Sequence, residues 1–380
     1  MSFRPEDRVP ASTLAAIRAP FEAAGGVWVD PPVLQSLSVL LDLTGEAMRS
    51  RLFVVQGEAG GGAVLRPDFT IPVAQAHIAS GATEGRYLYE GKAFRAAAAG
   101  DDRPVEFLQV GVEAYGPSAD PDLDDAAFAA LAWAGAVAGG RDDLSILLGD
   151  VGLFSDFITA LGVPDALVVR LVRAFAGGSS LAVELERAQA GPSRPAAGGR
   201  LASLLADLPE SEAAGVLEEL WRLAGIQPVG GRAPSEIVHR LVERSEAART
   251  APLSPAEADL IGRYLQVTGS PRAALDQIEG LAYEAKVEFD RALQPWVRRL
   301  KALDAAGVPG DALSLSAGFV RPFGYYDGVL FEVRSGGLGP DRPVAAGGRY
   351  DALPVRLGGS APGAVGCIVR PARAWKGSRA

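Results

Sequence analysis

The chain has 380 residues, 48% hydrophobic and 22% charged, with a formal net charge of −9. That is globular composition with room for two or three domains, and the acidity argues against a dedicated nucleic-acid binder without excluding a local basic groove. The single Cys367 and the two histidines, His77 and His239, exclude a disulfide framework, a thiolate metal cage and a histidine-rich metal or haem site, so no metal and no cofactor are expected.

Met1–Arg8 already contains Glu6 and Asp7, and no secretory leader is expected. Pro10–Ala24 reads as an amphipathic helix closed by Gly25-Gly26, and Trp28-Val29 as extended chain ending at Pro31-Pro32. A second helix fits Val33–Leu43. Leu52–Gln56 and Val64–Arg66 look like strands joined by Gly57–Gly62, a glycine-rich loop without the Lys-Ser/Thr ending of a phosphate cradle. A helix from about Ile71 precedes strands at Arg86–Phe94 and Glu106–Tyr115. Leu123–Ala138 is helical; it contains the longest apolar run, Ala126–Gly140, which is shorter than the roughly 18 residues of a membrane span. A cytoplasmic protein without a membrane partner follows. Leu144–Leu148 is a strand and Gly152–Leu161 a helix.

From Pro164 to about Leu303 the periodicity is helical, punctuated by Gly177-Gly178, Gly191–Pro195, Gly230-Gly231, Pro252 and Pro255. Strand signals return at Leu313–Ala317, Tyr325–Arg334, Pro343–Ala346 and Ala364–Val369. Strands on both sides of a helical block imply an α+β fold, a mostly antiparallel sheet flanked by helices and split by an insertion. Residues 1–163 and 304–380 form the core in this reading, and 164–303 a mostly helical insertion or subdomain.

Four segments carry polar residues in unusual company. On the strand Glu106–Tyr115, period 2 puts Leu108, Val110, Val112 and Ala114 on one face and Phe107, Gln109, Gly111, Glu113 and Tyr115 on the other. An amide and a carboxylate between aromatics, around a glycine that leaves room for a ligand, suggest the floor of a site. In Val320–Gly328, Arg321 is suited to clamp a carboxylate; Tyr325 and Tyr326 would then point to opposite faces, one to the pocket and one to the core. Asp68 and Thr70 end a strand ahead of a helix, where one of them is expected as its N-cap. Gly347–Asp351 reads as a turn or as a fourth part of the site. One arginine for a carboxylate, acids and an amide for an ammonium, and Tyr plus Glu for a polar ring suit a small zwitterion such as an amino acid. Neither histidine is expected near these strand faces, and no nucleophile–base pair is evident.

Together these segments resemble the catalytic domain of the histidyl-tRNA synthetases, a class II synthetase family. Leu65–Thr70 resembles its Leu-Arg-Pro-Glu-x-Thr run. Phe94-Arg95 with Phe107, Gln109, Gly111 and Glu113 resembles motif 2, Arg321 with Tyr325-Tyr326 the histidine-binding segment, and Ala346–Asp351 with Gly358–Gly366 the approach to motif 3. The resemblance implies a class II sheet that dimerises through its motif 1 region, here Gly25–Pro32. It also implies histidine recognition: Glu113 and one of Tyr325 and Tyr326 on the imidazole; Gln109, Asp68 and Thr70 on the α-amine; Arg321 on the carboxylate.

The departures concern ATP. The acid of motif 2 is replaced by Ala97, and the motif 3 ending is Arg370-Pro371-Ala372-Arg373, with Arg370 in place of glycine and Pro371 hostile to a helix interior. Arg95 is then left with a structural or an anion-binding role. No anticodon-binding domain is recognisable, and tRNA is not expected as a partner. A synthetase-like chain with a histidine pocket but without ATP determinants resembles the regulatory subunits of ATP phosphoribosyltransferase. That resemblance implies no catalytic residue on this chain, a homodimer within a hetero-oligomer, the short-form catalytic subunit as partner and L-histidine as feedback effector. The competing readings are a synthetase paralogue that still adenylates histidine and a free histidine sensor.

Overall fold

The computed structural model describes residues 4–56, 62–97, 103–177, 181–190, 251–321, 323–360 and 362–378, with isolated positions between 208 and 223. Most of the Gly57–Gly62 loop and the breakers Gly191–Pro195 and Gly230-Gly231 lie outside the described residues. Strands β1 (Val27–Trp28), β2 (Leu34–Ser36), β3 (Val54–Val55), β4 (Ala63–Leu65), β5 (Gly85–Phe94) and β6 (Glu106–Tyr115) precede β7 (Leu144–Asp150) and β8 (Thr268–Gly269). Then follow β9 (Leu313–Ser316), β10 (Val329–Ser335), β11 (Ala345–Arg349) and β12 (Ala364–Val369). Nine of them form one sheet in the order β1-β5-β6-β12-β11-β10-β7-β9-β8; β2, β4 and β3 form a small second sheet. In the large sheet only β1–β5 and β7–β9 are parallel pairs, so the antiparallel α+β architecture expected from the strand spacing is present.

The alternation on β6 sorts the two sides of the sheet. Val110 and its partner Val369 are fully buried beneath helices α1 (Ala11–Ala23) and α4 (Pro121–Val137), where Gly135 of α4 lets Phe21 and Val369 meet the helix backbone closely. Asp120 caps α4 by accepting from the Leu123 amide at 3.4 Å, ahead of Pro121 in the first turn. The opposite face of β6 is reserved for Gln109 and Glu113, under the start of helix α3 (Thr70–Ala79).

Several boundaries differ from the sequence reading. Val33–Leu43 does not form one helix: Leu34–Ser36 pairs with Leu65–Ala63, and only then does Ser36 cap α2 (Leu37–Thr44). The doublet Pro31-Pro32 favours extended chain just upstream, and β4 offers a partner. Within the mostly helical block after Pro164, Thr268–Gly269 forms a short strand that joins the sheet beside Leu315-Ser316. The strand expected from Tyr325 begins only at Val329. Pro371 starts the last helix, Pro371–Ala374, rather than interrupting one; at that position its missing N–H costs nothing.

Candidate functional site

One cavity is lined by Asp68, Thr70, Arg95, Gln109, Glu113, Arg321, Tyr325 and Tyr326, together with Phe323 and Tyr350. Every residue singled out from the sequence for the site therefore reaches one place, from segments as distant in the chain as Asp68 and Tyr326. β6 supplies the floor, the start of α3 one wall, and the segment before β10 the other.

Glu113 lies at the centre and is 1% exposed. Its Oε1 accepts from the Thr70 and Tyr89 hydroxyls, each at 2.9 Å, and its Oε2 accepts from the Tyr350 hydroxyl. Burial pushes its carboxyl up to about 7, and the three hydroxyls pull the other way. Gly366 on β12 faces Glu113, and a side chain there would meet the Glu113 carboxylate and the Tyr350 hydroxyl. Gly111 plays a different part from the one its position suggested. The Tyr89 hydroxyl, on the paired residue of β5, lies 2.5 Å from where a Cβ of residue 111 would stand, so this space holds Tyr89 and not a ligand.

Asp68 and Gln109 are buried with acceptors to spare. Asp68 Oδ2 accepts from the Tyr325 hydroxyl at 3.5 Å, while Asp68 Oδ1 and Gln109 Oε1 have no hydrogen-bond partner. Burial raises the Asp68 carboxyl above its usual range, with Arg95 and the Ile71 amide opposing. Thr70 is no N-cap: it is the first helical residue, α3 has no side-chain cap, and its hydroxyl goes to Glu113.

Arg321 is buried and donates from Nη1 to Glu332 Oε1 at 2.6 Å, leaving Nε unpartnered. Arg334 holds the other Glu332 oxygen at 2.8 Å. Burial disfavours the Arg321 charge, but Glu332 and its neighbours keep the group above its ordinary value. Tyr325 and Tyr326 do not diverge to opposite faces: both line the cavity, with ring centroids 4.7 Å apart, and both pack against Tyr350. They precede β10, so strand alternation does not govern them.

Arg95 donates from Nε to the Pro67 carbonyl at 2.9 Å and lies 4.8 Å over the Phe323 ring; burial holds it down to about 9. His77 is closer than expected. It stacks on Tyr115 at 4.7 Å and bonds to the Tyr87 hydroxyl at 2.9 Å, but is not among the cavity-lining residues. Tyr350 comes from the Gly347–Asp351 run that the sequence offered as a turn or a fourth part of the site, whereas Tyr89, Glu332 and Phe323 are not among the residues singled out there. A large residue opposite Gly111 is a readable signal for Tyr89; nothing in the sequence points to Glu332. Among the described residues, no group of three or more His, Cys, Asp or Glu side chains could hold a metal ion, and no helix is long and apolar enough to cross a membrane.

Chemically, the cavity offers unpaired acceptors, a guanidinium with a spare donor and a carboxylate among hydroxyls. That set complements a small zwitterion with a polar ring.

The histidyl-tRNA synthetase family profile matches residues 5–229 and 213–373. The ATP phosphoribosyltransferase regulatory subunit of Brucella anthropi is 34% identical over 347 residues, 91% of either chain. The protein of that name from Brucella canis is 34% identical over 345 residues, 90% of either chain. Among solved structures, an ATP phosphoribosyltransferase regulatory subunit/histidyl-tRNA synthetase from Bacillus halodurans superposes with TM-score 0.63 at 20% identity, covering 99% of this chain and 82% of that one. Histidyl-tRNA synthetase from Nostoc superposes with TM-score 0.59 at 17% identity, covering 97% and 72%. These structures share the fold.

Proposed function

We infer the function from the family, for this chain belongs to the ATP phosphoribosyltransferase regulatory subunits and has the histidyl-tRNA synthetase fold. On that premise it carries out no covalent chemistry. It works in a hetero-oligomer with the short-form catalytic subunit, which it activates for the first step of L-histidine biosynthesis, and it binds L-histidine as feedback effector. Transfer RNA is not a partner in this reading.

The observation that carries the effector is the pairing left open inside the cavity. Asp68 Oδ1, Gln109 Oε1 and Arg321 Nε are buried without partners, and a buried polar atom left unpaired costs roughly 1–3 kcal/mol. An α-ammonium answers the two acceptors, and an α-carboxylate answers Arg321. The imidazole then meets Glu113 and the tyrosines.

Two arginines that would serve adenylation in a synthetase each spend one donor on a backbone carbonyl. Arg95 is tied to Pro67, and Arg373 donates to the Pro343 carbonyl at 3.0 Å. Inhibition is then a linkage effect: histidine acts only as far as it prefers the inhibited assembly, and a hundredfold preference corresponds to about 2.7 kcal/mol.

The deciding experiment is phosphoribosyltransferase activity of the short-form catalytic subunit, with and without this chain and with and without histidine. Activation by the chain and its reversal by histidine are expected; no activation sinks the reading. Histidine-dependent ATP–pyrophosphate exchange should be absent. By calorimetry, Arg321→Ala should abolish histidine binding while Glu332 keeps Arg334 as partner; unchanged affinity would place the effector elsewhere.

A further inference from the structure

Behind the arginine of the cavity, one carboxylate serves two cations. Glu332 of β10 pairs with Ala346 of β11, which pairs with Ile368 of β12; both Ala346 and Ile368 line the cavity, so Glu332 lies on the cavity face of the sheet. Arg334, two residues on, shares that face. Neither Glu332 nor Arg334 is among the lining residues. Glu332 Oε1 takes the Nη1 corner of Arg321, and Glu332 Oε2 accepts from Nε and Nη2 of Arg334 at 3.0 and 2.8 Å. The Arg334 guanidinium is steadied in turn, 5.3 Å from the centroid of the Phe319 ring.

The arrangement fixes an orientation. With Nη1 spent on Glu332, the Nε side of Arg321 is left over, and a guanidinium receives a carboxylate on that side through two parallel bonds, from Nε and Nη2. Nε is buried and unpartnered. The arrangement also fixes a charge. Arg321 and Glu332 are each 8% exposed, and a buried pair of one cation and one anion would have little field left for an incoming carboxylate. Arg334 sets two positive charges against one, so the group remains attractive to an anion.

We propose that Glu332 and Arg334 are positioning residues for the carboxylate of the effector. Glu332 aims Arg321, and Arg334, from outside the cavity lining, offsets the Glu332 charge so that Arg321 still draws an anion. This rests on the reading of the cavity as a histidine site and adds two residues that set its affinity.

The test is calorimetric titration of L-histidine into the full-length wild type, Arg334→Met, Glu332→Gln and the double variant. Arg334→Met keeps the stem near Phe319 and removes the charge. Glu332→Gln keeps an acceptor for Arg321 and removes the charge. A unit charge ~8 Å away, at an effective dielectric of about 20, changes affinity by at least about tenfold. Arg334→Met should therefore weaken histidine about tenfold, Glu332→Gln should tighten it by a similar factor, and the double variant should return to within about threefold of the wild type. A merely structural role would weaken both single variants. Equal affinity in wild type and Arg334→Met overturns the proposal. So does a Glu332→Gln protein that binds no more tightly than the wild type, or a double variant as weak as Arg334→Met. If Arg334→Met does not fold, the sign of the Glu332→Gln effect decides. A wild type that binds no histidine overturns the effector reading, and the proposal with it.

Discussion

Replacing Glu113 by glutamine isolates the cost of a carboxylate at the centre of the cavity. In the unfolded chain this group titrates near its ordinary value of 4.5, and in the folded protein burial raises it to about 7. Below about pH 4.5 both states are protonated, and the site carries no charge penalty. Between the two values the folded protein holds a proton that the unfolded chain has released, so each pH unit removes about 1.4 kcal/mol of stability. Above about pH 7 the folded carboxyl is ionised too, and the loss levels off near 3 kcal/mol. The glutamine has no proton to lose. Its amide oxygen still accepts from Thr70 and Tyr89, and its amino group can donate to Tyr350. The stability of Glu113→Gln relative to wild type should therefore rise by about 3 kcal/mol between about pH 4.5 and pH 7.5. Asp125 and Asp327, each raised to about 6 by burial, titrate in the same window. They are present in both proteins and cancel in the difference. Urea denaturation of the two proteins at several pH values gives this difference directly. A difference that stays flat with pH would refute the argument that an uncompensated buried charge sits at this position.

Gly366→Ala should destabilise the protein by about 1–3 kcal/mol through overpacking and abolish histidine binding, because the new methyl falls on the Glu113 carboxylate and the Tyr350 hydroxyl; a thermal melt with calorimetry checks both, and an unaltered melt would mean the wall yields. Trp296 donates from Nε1 to Asp150 Oδ2 at 2.9 Å in the core. Trp296→Phe should cost about 1–3 kcal/mol in urea denaturation with histidine affinity unchanged. For the homodimer proposed through the region of Gly25–Pro32, apolar side chains in and next to that region are exposed: Val27 is 65% exposed, Trp28 45% and Leu34 54%. Trp28→Asp with Leu34→Asp should shift the sedimenting species to the monomer mass; an unchanged mass would place any self-association elsewhere.

Much of the site could be read from the sequence because strand alternation is a strict rule. Period 2 put Gln109 and Glu113 together, and both are buried on the cavity side. Long strands were read closely for the same reason: β6 and β12 have the expected limits. What failed was local inference where tertiary contact decides. Leu34–Ser36 has helix-compatible residues but a strand partner in β4. Tyr325 and Tyr326 belong to irregular chain, and alternation does not apply there. Glu332 sits on a strand like many solvated acids; only the approach of Arg321 from eleven residues earlier makes it part of the site.

The strand order also governs when the protein can become itself during synthesis. β6 and β7 are made early, yet they are not neighbours: β12, β11 and β10 lie between them, all drawn from residues 329–369. Until that stretch emerges, the β5–β6 hairpin on one side and β7 on the other each present an unpaired edge to the surroundings. Pairing then joins segments more than 150 residues apart, as in Leu147 with Glu332, a high-contact-order closure that is intrinsically slow. A nascent chain thus carries two open edges for most of its translation and gains its central strands last. Chaperone demand and sensitivity to C-terminal truncation should therefore be properties of the whole sheet, and the cavity, walled by Tyr325, Tyr326 and Tyr350, is among the last features to form.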